Sequence, residues 1–289
     1  MISEGTKAKI KALKKEYESL KDGKDSLIKL LAEAELPELV YNSNAIENST
    51  LTLKETERIL LELEVARQVS VRELFEAKNL ARVTEYLEAR PNLELTIENI
   101  LLLHRMLIGG IDDDIAGRLR EQNEYVRVGS HVAPAPEHVP QLLDNLIDDY
   151  LSSHDRYFLD NIAHFHAEFE RIHPFCDGNG RIGRVLVNMQ LASLGYPPVI
   201  IRSKGKQTDY YPLFQKYVDD ADYGGMSDIF VLALQESLHK RLAYLKSLTI
   251  VRLTEYAKQN GLAPNAQLNA AKRQTIPAFR EKGTWKIGV

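Results

Sequence analysis

Cysteine is almost missing from this chain. Cys176 is the only one among 289 residues, so no intrachain disulfide can form and no metal site can be built on paired cysteines. Long apolar runs are missing as well. Nowhere do roughly 18 consecutive residues read as a membrane span, and the opening stretch, rich in lysine, lacks the apolar segment of a secretory signal. These absences predict a cytoplasmic protein without membrane contact. Positive charge is not in excess: the formal net charge of -4 argues against a wholesale nucleic-acid coat, though not against local basic patches. Strand-like alternation is scarce, and no internal repeat or low-complexity stretch is visible.

What the chain does contain is helical periodicity. Apolar residues recur at helix spacing over Leu27 to Val40, Leu53 to Leu63, Phe75 to Leu87 and Ile97 to Ile108. The pattern returns over Val139 to Leu151, Phe158 to Ile172, Ile182 to Leu194 and Ile229 to Leu245. Thr52 and Glu55 have capping-box spacing, which predicts a helix starting at Leu53. Gly195, Pro197 and Pro198 should stop the helix that begins near Asn179. The best strand candidates are Tyr125 to Val128 and Val132, bracketed by Gly129 and Pro134–Ala135–Pro136, and they predict a short hairpin. Residues 250–289 hold seven Lys/Arg and two acids, a net +5 against -9 for the rest. That asymmetry predicts a small appended module after about residue 248.

The chemistry concentrates in twelve consecutive residues, His173-Pro174-Phe175-Cys176-Asp177-Gly178-Asn179-Gly180-Arg181-Ile182-Gly183-Arg184. Pro174 disfavours helix at His173. Gly178 and Gly180 let the backbone turn sharply just before a helix whose free N–H groups and positive dipole end form a natural phosphate site. Arg181 and Arg184, three apart on the first turn, can clamp phosphate oxygens. Asp177 is a hard oxygen ligand suited to Mg²⁺ shared with phosphates. His173 can take a proton from an attacking hydroxyl near neutral pH. A lone glycine turn or a lone histidine would carry little, but these roles converge. Cys176 reads as a small packed residue, and His164 and His166 as packing or surface residues, since no metal-binding partner accompanies them.

These residues resemble the Fic motif, His-Pro-Phe-x-Asp-Gly-Asn-Gly-Arg-x-x-Arg, at every fixed position. The resemblance extends from about Leu39 to Tyr211, through Ala116-Gly117-Arg118-Leu119-Arg120 and the hairpin. It implies an all-α helical bundle with a small β-hairpin flap over the active site. The implied activity is transfer of AMP from ATP to Ser, Thr or Tyr hydroxyls of proteins, the chain itself included, with pyrophosphate leaving. His173 would be the general base and Asp177 the Mg²⁺ ligand. Gly178, Asn179 and Gly180 would form the anion hole, with Arg181 and Arg184 on the outer phosphates and Ile182 and Gly183 completing the nucleotide-binding stretch. Phe175 would anchor the loop in the core, and Tyr211 would contact the base.

Upstream, Ser43-Asn44-Ala45-Ile46-Glu47-Asn48 resembles the family's inhibitory motif, Ser/Thr-x-x-x-Glu-Gly/Asn. This implies a built-in brake in which Glu47, flanked by Ser43 and Asn48, clamps Arg184 and denies it to the γ-phosphate. The same glutamate could orient a water for removal of AMP. The domain expectation is an N-terminal helical region over 1–95, a catalytic core over 96–248 and a module over 249–289. The last reads as helix–turn–helix followed by a strand pair, similar to winged helix–turn–helix modules. It implies contact with DNA or protein, and a homodimer is a further partner expectation. The alternatives are a Doc-like kinase transferring phosphate, whose loops lose the Gly-Asn-Gly arrangement kept here, and a transcription regulator built on the same fold.

Overall fold

The computed structural model describes residues 2–65, 67–129 and 131–289. Twelve α-helices and two small sheets are present among them. Helix α1 (Glu4–Lys21) packs on α10 (Gly224–Leu245). Sequence periodicity did not announce α1, although Ile10, Leu13, Tyr17 and Leu20 lie at helical spacing and face the core, because lysines crowd the residues between them. Helix α2 (Asp25–Ile46) is longer than its apolar stripe and carries Pro37 inside it. Proline there removes one helix hydrogen bond, and packing against α3 (Leu53–Leu60) and α4 (Val71–Glu88) holds the helix nonetheless.

The Thr52 capping box forms as its spacing predicts. Thr52 Oγ1 accepts from the Glu55 N–H at 3.2 Å, and Glu55 Oε2 accepts from the Thr52 N–H at 2.7 Å. Helices α5 (Ile97–Ile108), α6 (Val139–Ser152), α7 (Phe158–Ile172) and α8 (Asn179–Ser193) follow, with α9 (Tyr211–Asp220) before α10. Helix α7 is the axis of the bundle, packed by α6, α8, α9 and α10, and most of its residues are buried. One apolar core joins residues from both sides of position 95: Val40, Ile59 and Leu80 meet Leu103, Phe169 and Ile182. A second lies between α1, α7 and α10.

The hairpin is short. β1 (Arg127–Val128) pairs antiparallel with β2 (His131–Val132), and Val128 and Val132 are exposed. At the C-terminus, β3 (Ile250–Arg252), α11 (Leu253–Gln259), α12 (Pro264–Lys272), β4 (Ala278–Glu281) and β5 (Thr284–Gly288) form the expected helix–turn–helix with strands. The strand pair gains β3 as a third member, with β5 in the centre and both neighbours antiparallel to it. Ala278 and Phe279 are buried as β4 packs on α10. Glu38 of α2, itself buried, accepts from the backbone N–H groups of Lys282 and Gly283 and pairs with Arg202. The tail therefore grips α2.

Candidate active site

The loop between α7 and α8 takes its shape from four side chains. His173 ends α7 in the left-handed region (φ 51°), a conformation uncommon outside glycine and held here by its surroundings. Arg120, buried, supplies most of that hold. Its Nε donates to the His173 carbonyl at 2.8 Å, and Nη2 donates to the carbonyls of Ile172 and Pro134. Its own N–H donates to the Pro174 carbonyl. Phe175 is fully buried, stacked on His104 with ring centroids 3.7 Å apart. His104 Nδ1 accepts from the Gly117 N–H at 2.9 Å, which leaves Nε2 to donate to the Asp177 carbonyl at 3.0 Å. Burial lowers the His104 pKa to about 4, so the ring is neutral, as this arrangement requires. Asn179 closes the loop. Its Oδ1 accepts from the Phe175 N–H and its Nδ2 donates to the Phe175 carbonyl.

His173 is placed to act as a base. Its Nδ1 lies 3.3 Å from the Glu170 carbonyl, so the proton belongs on Nδ1 and the Nε2 lone pair is free. Burial, partly offset by that carbonyl, lowers its pKa to about 4. The imidazole is therefore neutral at physiological pH. Cys176 goes the other way, its thiol pushed up to about 11 chiefly by burial, which agrees with a packing role.

The anion-binding elements meet at the start of α8. Gly178, at φ 82°, adopts a backbone that only glycine takes freely. At Gly180 a Cβ would collide with the Glu47 carboxylate. Arg181 is buried, and its Nε and Nη1 have no hydrogen-bond acceptor, although Glu76 lies 3.2 Å from Nη1 off the donor direction. Buried donors without acceptors are costly, and a phosphate oxygen would satisfy them. Asp177 takes the Gly178 N–H on Oδ1 and Arg181 Nη2 at 3.1 Å, while Arg72 pairs with its Oδ2. Burial alone would raise its pKa, but Arg181 and Arg72 outweigh burial and hold it below the usual carboxylate value. An ionised single carboxylate beside a phosphate cradle fits Mg²⁺, which dehydrates reluctantly and takes one or two carboxylates plus phosphate oxygens. Arg72, half exposed on α4, occupies the Asp177 Oδ2 oxygen that such a cation would need.

Arg184 is engaged by the end of α2 through Nε and Nη2. Its Nε donates to Ser43 Oγ at 2.9 Å, and Nη2 donates to the Ser43 carbonyl and to Glu47 Oε1, each at 2.8 Å. Glu47 is the C-cap residue of α2, and Asn48 after it adopts φ 67°. This left-handed position explains why glycine or asparagine suits it. Lys206 Nζ caps the same helix end, donating to the Ala45 and Ile46 carbonyls and to Asn48 Oδ1. Tyr211 donates its hydroxyl to the Ile46 carbonyl. The Lys206–Tyr211 segment thus holds the helix that carries Glu47.

Sequence reasoning and geometry differ in detail for three residues. The Asn179 side chain is spent on the Phe175 backbone, and the Ile182 N–H is spent on the Gly178 carbonyl, its side chain lying in the core. Tyr211 bonds to the helix end of α2. Arg72, His104, Arg120 and Glu170 were not anticipated as site residues. Glu170 is half-buried beneath Gly183, its Oε1 buried and unpartnered, and desolvation, reinforced by Glu47, raises its pKa to about 8. His166 is also buried and bonds the Tyr210 hydroxyl at 2.7 Å, a packing role as expected.

The Fic/DOC family model matches residues 94–191. A protein adenylyltransferase Fic of Nematostella vectensis is 34% identical over 220 residues, 74% of this chain and 50% of that protein. One from Drosophila sechellia is 31% identical over 261 residues, 86% of this chain and 51% of that protein. The chain spans about half the length of these curated relatives. The crystal structure of a Fic domain containing signaling protein from Bacteroides thetaiotaomicron is similar with a TM-score of 0.72 and 26% identity, over 82% of this chain and 97% of that one. The loop from His173 to Arg184 lies inside the matched residues, and the relatives align well beyond them, so the chain belongs to the Fic/DOC family.

Proposed function

We propose that this chain is a protein adenylyltransferase, moving AMP from ATP to a Ser, Thr or Tyr hydroxyl, and that Glu47 holds it in check. The observation that carries this is the Glu47 carboxylate over Gly180, paired to Arg184. An anion of the chain itself sits in the seat built for a phosphate, a few residues from a neutral histidine with a free Nε2.

Once Glu47 withdraws, Arg184 is free for the outer phosphate and Arg181 gains acceptors for its two unpaired donors. Asp177, released by Arg72, would hold Mg²⁺, whose charge would offset that building on the pyrophosphate. His173 Nε2 then takes the proton of the target hydroxyl as its oxygen bonds to the α-phosphorus and the bond to pyrophosphate breaks. The exposed hairpin beside this loop, tied to α7 through His131 and the Arg171 carbonyl, offers a surface for the target chain. The names of the relatives support the same activity.

Incubating the Glu47→Gly protein with ATP labelled separately at the α- and γ-phosphates tests the proposal. Label on protein from the α-position alone is expected. Label from the γ-position means phosphate transfer, and none from either means a regulator.

A further inference from the structure

One stripe of α2 borders a cavity. Ile28, Ala32, Leu39 and Ser43 lie along one stripe of the helix and face, across a cavity of about 810 Å³, the α8 residues Arg184, Val185, Asn188 and Ala192. That volume is in the range of small-molecule sites. The cavity meets the nucleotide cradle at Arg184, and Ser43 and Arg184, the two ends of a hydrogen bond that fastens the brake, both line it.

Two observations describe what would fill it. Tyr17, 6% exposed, lines the cavity and its hydroxyl has no hydrogen-bond partner among the described residues. The hydroxyl opens onto the cavity, where an occupant with a hydrogen-bonding atom would meet it. The charges on the wall are also unequal. Its cations are already paired, Lys29 with Glu33 at 3.9 Å, Arg184 with Glu47 and Arg241 with Glu35. Asp25, Glu85 and Glu88, exposed at its rim, have no ion pair among the described residues.

We propose that this cavity is a regulatory site for a small hydrophobic amine, an apolar body with one cationic nitrogen, whose binding bridges α2 to α8. An occupant touching both walls binds the docked α2 better than a withdrawn one and so shifts the protein toward the docked state. Its effect on AMP transfer rests on the function proposed above, whereas its binding does not.

Calorimetric titration of the full chain with 2-(2-naphthyl)ethylamine, 2-(2-naphthyl)ethanol and 2-naphthylacetate separates the possibilities, because only the charge differs appreciably. The amine should bind one-to-one, at least fivefold tighter than the alcohol, with the carboxylate weakest. Glu88→Gln should shrink the preference for amine over alcohol. Ala32→Trp, which plants an indole in the cavity, should abolish binding, and Ala192→Phe from the facing wall should do the same if the first variant does not fold. Equal affinity for all three compounds overturns the proposal, as does binding that survives either folded filling variant or no binding at millimolar concentration. Saturating amine should also lower AMP transfer by the wild-type chain; unchanged or raised transfer with the site filled overturns the regulatory half alone.

Discussion

Replacing Glu47 with glycine should raise AMP transfer about tenfold. The substitution removes one charge-assisted hydrogen bond, Arg184 Nη2 to Glu47 Oε1 at 2.8 Å, and leaves both bonds from Arg184 to Ser43 in place. Hydrogen bonds to charged groups contribute about 1.5 to 3 kcal/mol. Arg184 is buried but the Glu47 side chain is 38% exposed, so water already shares that carboxylate and the lower end applies. About 1.5 kcal/mol shifts a two-state equilibrium roughly tenfold. Arg184→Ala removes the brake's anchor and the phosphate clamp together, so it should stay weak, and the double variant should resemble it. Incorporation of α-labelled ATP into protein, measured for all four forms at matched Mg²⁺, gives the coupling between the two residues. Equal labelling by wild type and Glu47→Gly would refute the inhibitory role of α2, and additive effects would mean that the two side chains act independently.

Four further outcomes follow from the geometry. His173→Ala should abolish transfer while ATP binding, followed by calorimetry, stays largely intact, because the phosphate cradle is untouched. Since burial lowers the His173 pKa to about 4, kcat/KM of Glu47→Gly should hold level down to about pH 5 and fall below it as the imidazole protonates; a midpoint near 6.5 would contradict the buried base. Glu170 keeps its proton in the folded chain up to about pH 8 but loses it near the ordinary glutamate value of about 4.3 when unfolded. Stability should therefore fall as pH rises through that window, and Glu170→Gln should raise Tm more at pH 8 than at pH 4.5. Glu38→Ala strips a buried partner from Arg202 and two backbone donors of the tail, so it should destabilise by about 3 kcal/mol and raise basal transfer; a melting curve and the labelling assay check both halves.

Much of the site was legible because its chemistry is local. Base, carboxylate, glycines and arginines fall within twelve residues, and helix termini with glycine before them specify an anion site wherever they occur. The pairing of Glu47 with Arg184 was legible for the opposite reason, through a short motif far upstream whose family resemblance names that arginine as its partner. Arg120, His104 and Arg72 were not, because each acts across a fold: Arg120 reaches loop carbonyls more than fifty positions away, and no local pattern marks an arginine as a backbone scaffold. Helix α1 escaped because lysines are interspersed with its apolar residues, although its apolar spacing was there to read. The C-terminal module showed its charge and its outline, but not that three of its seven cations are occupied. Arg280, Lys282 and Lys286 pair with Glu236, Glu57 and Glu281, so the wing contributes less free positive charge than composition suggests. The module expected after about residue 248 is stitched to α2 and α10.

On the function proposed above, the Glu47 carboxylate over Gly180 is an intramolecular competitor of the outer phosphate of ATP. A tethered competitor acts at an effective concentration fixed by its attachment, and short, well-positioned tethers reach the millimolar range or above. Ordinary swings in ATP level would then barely move the balance. A signal has to act on the tether itself, where Lys206, Tyr211 and Glu38 hold α2 in place, and an enzyme built this way responds to what touches that helix more than to how much nucleotide surrounds it.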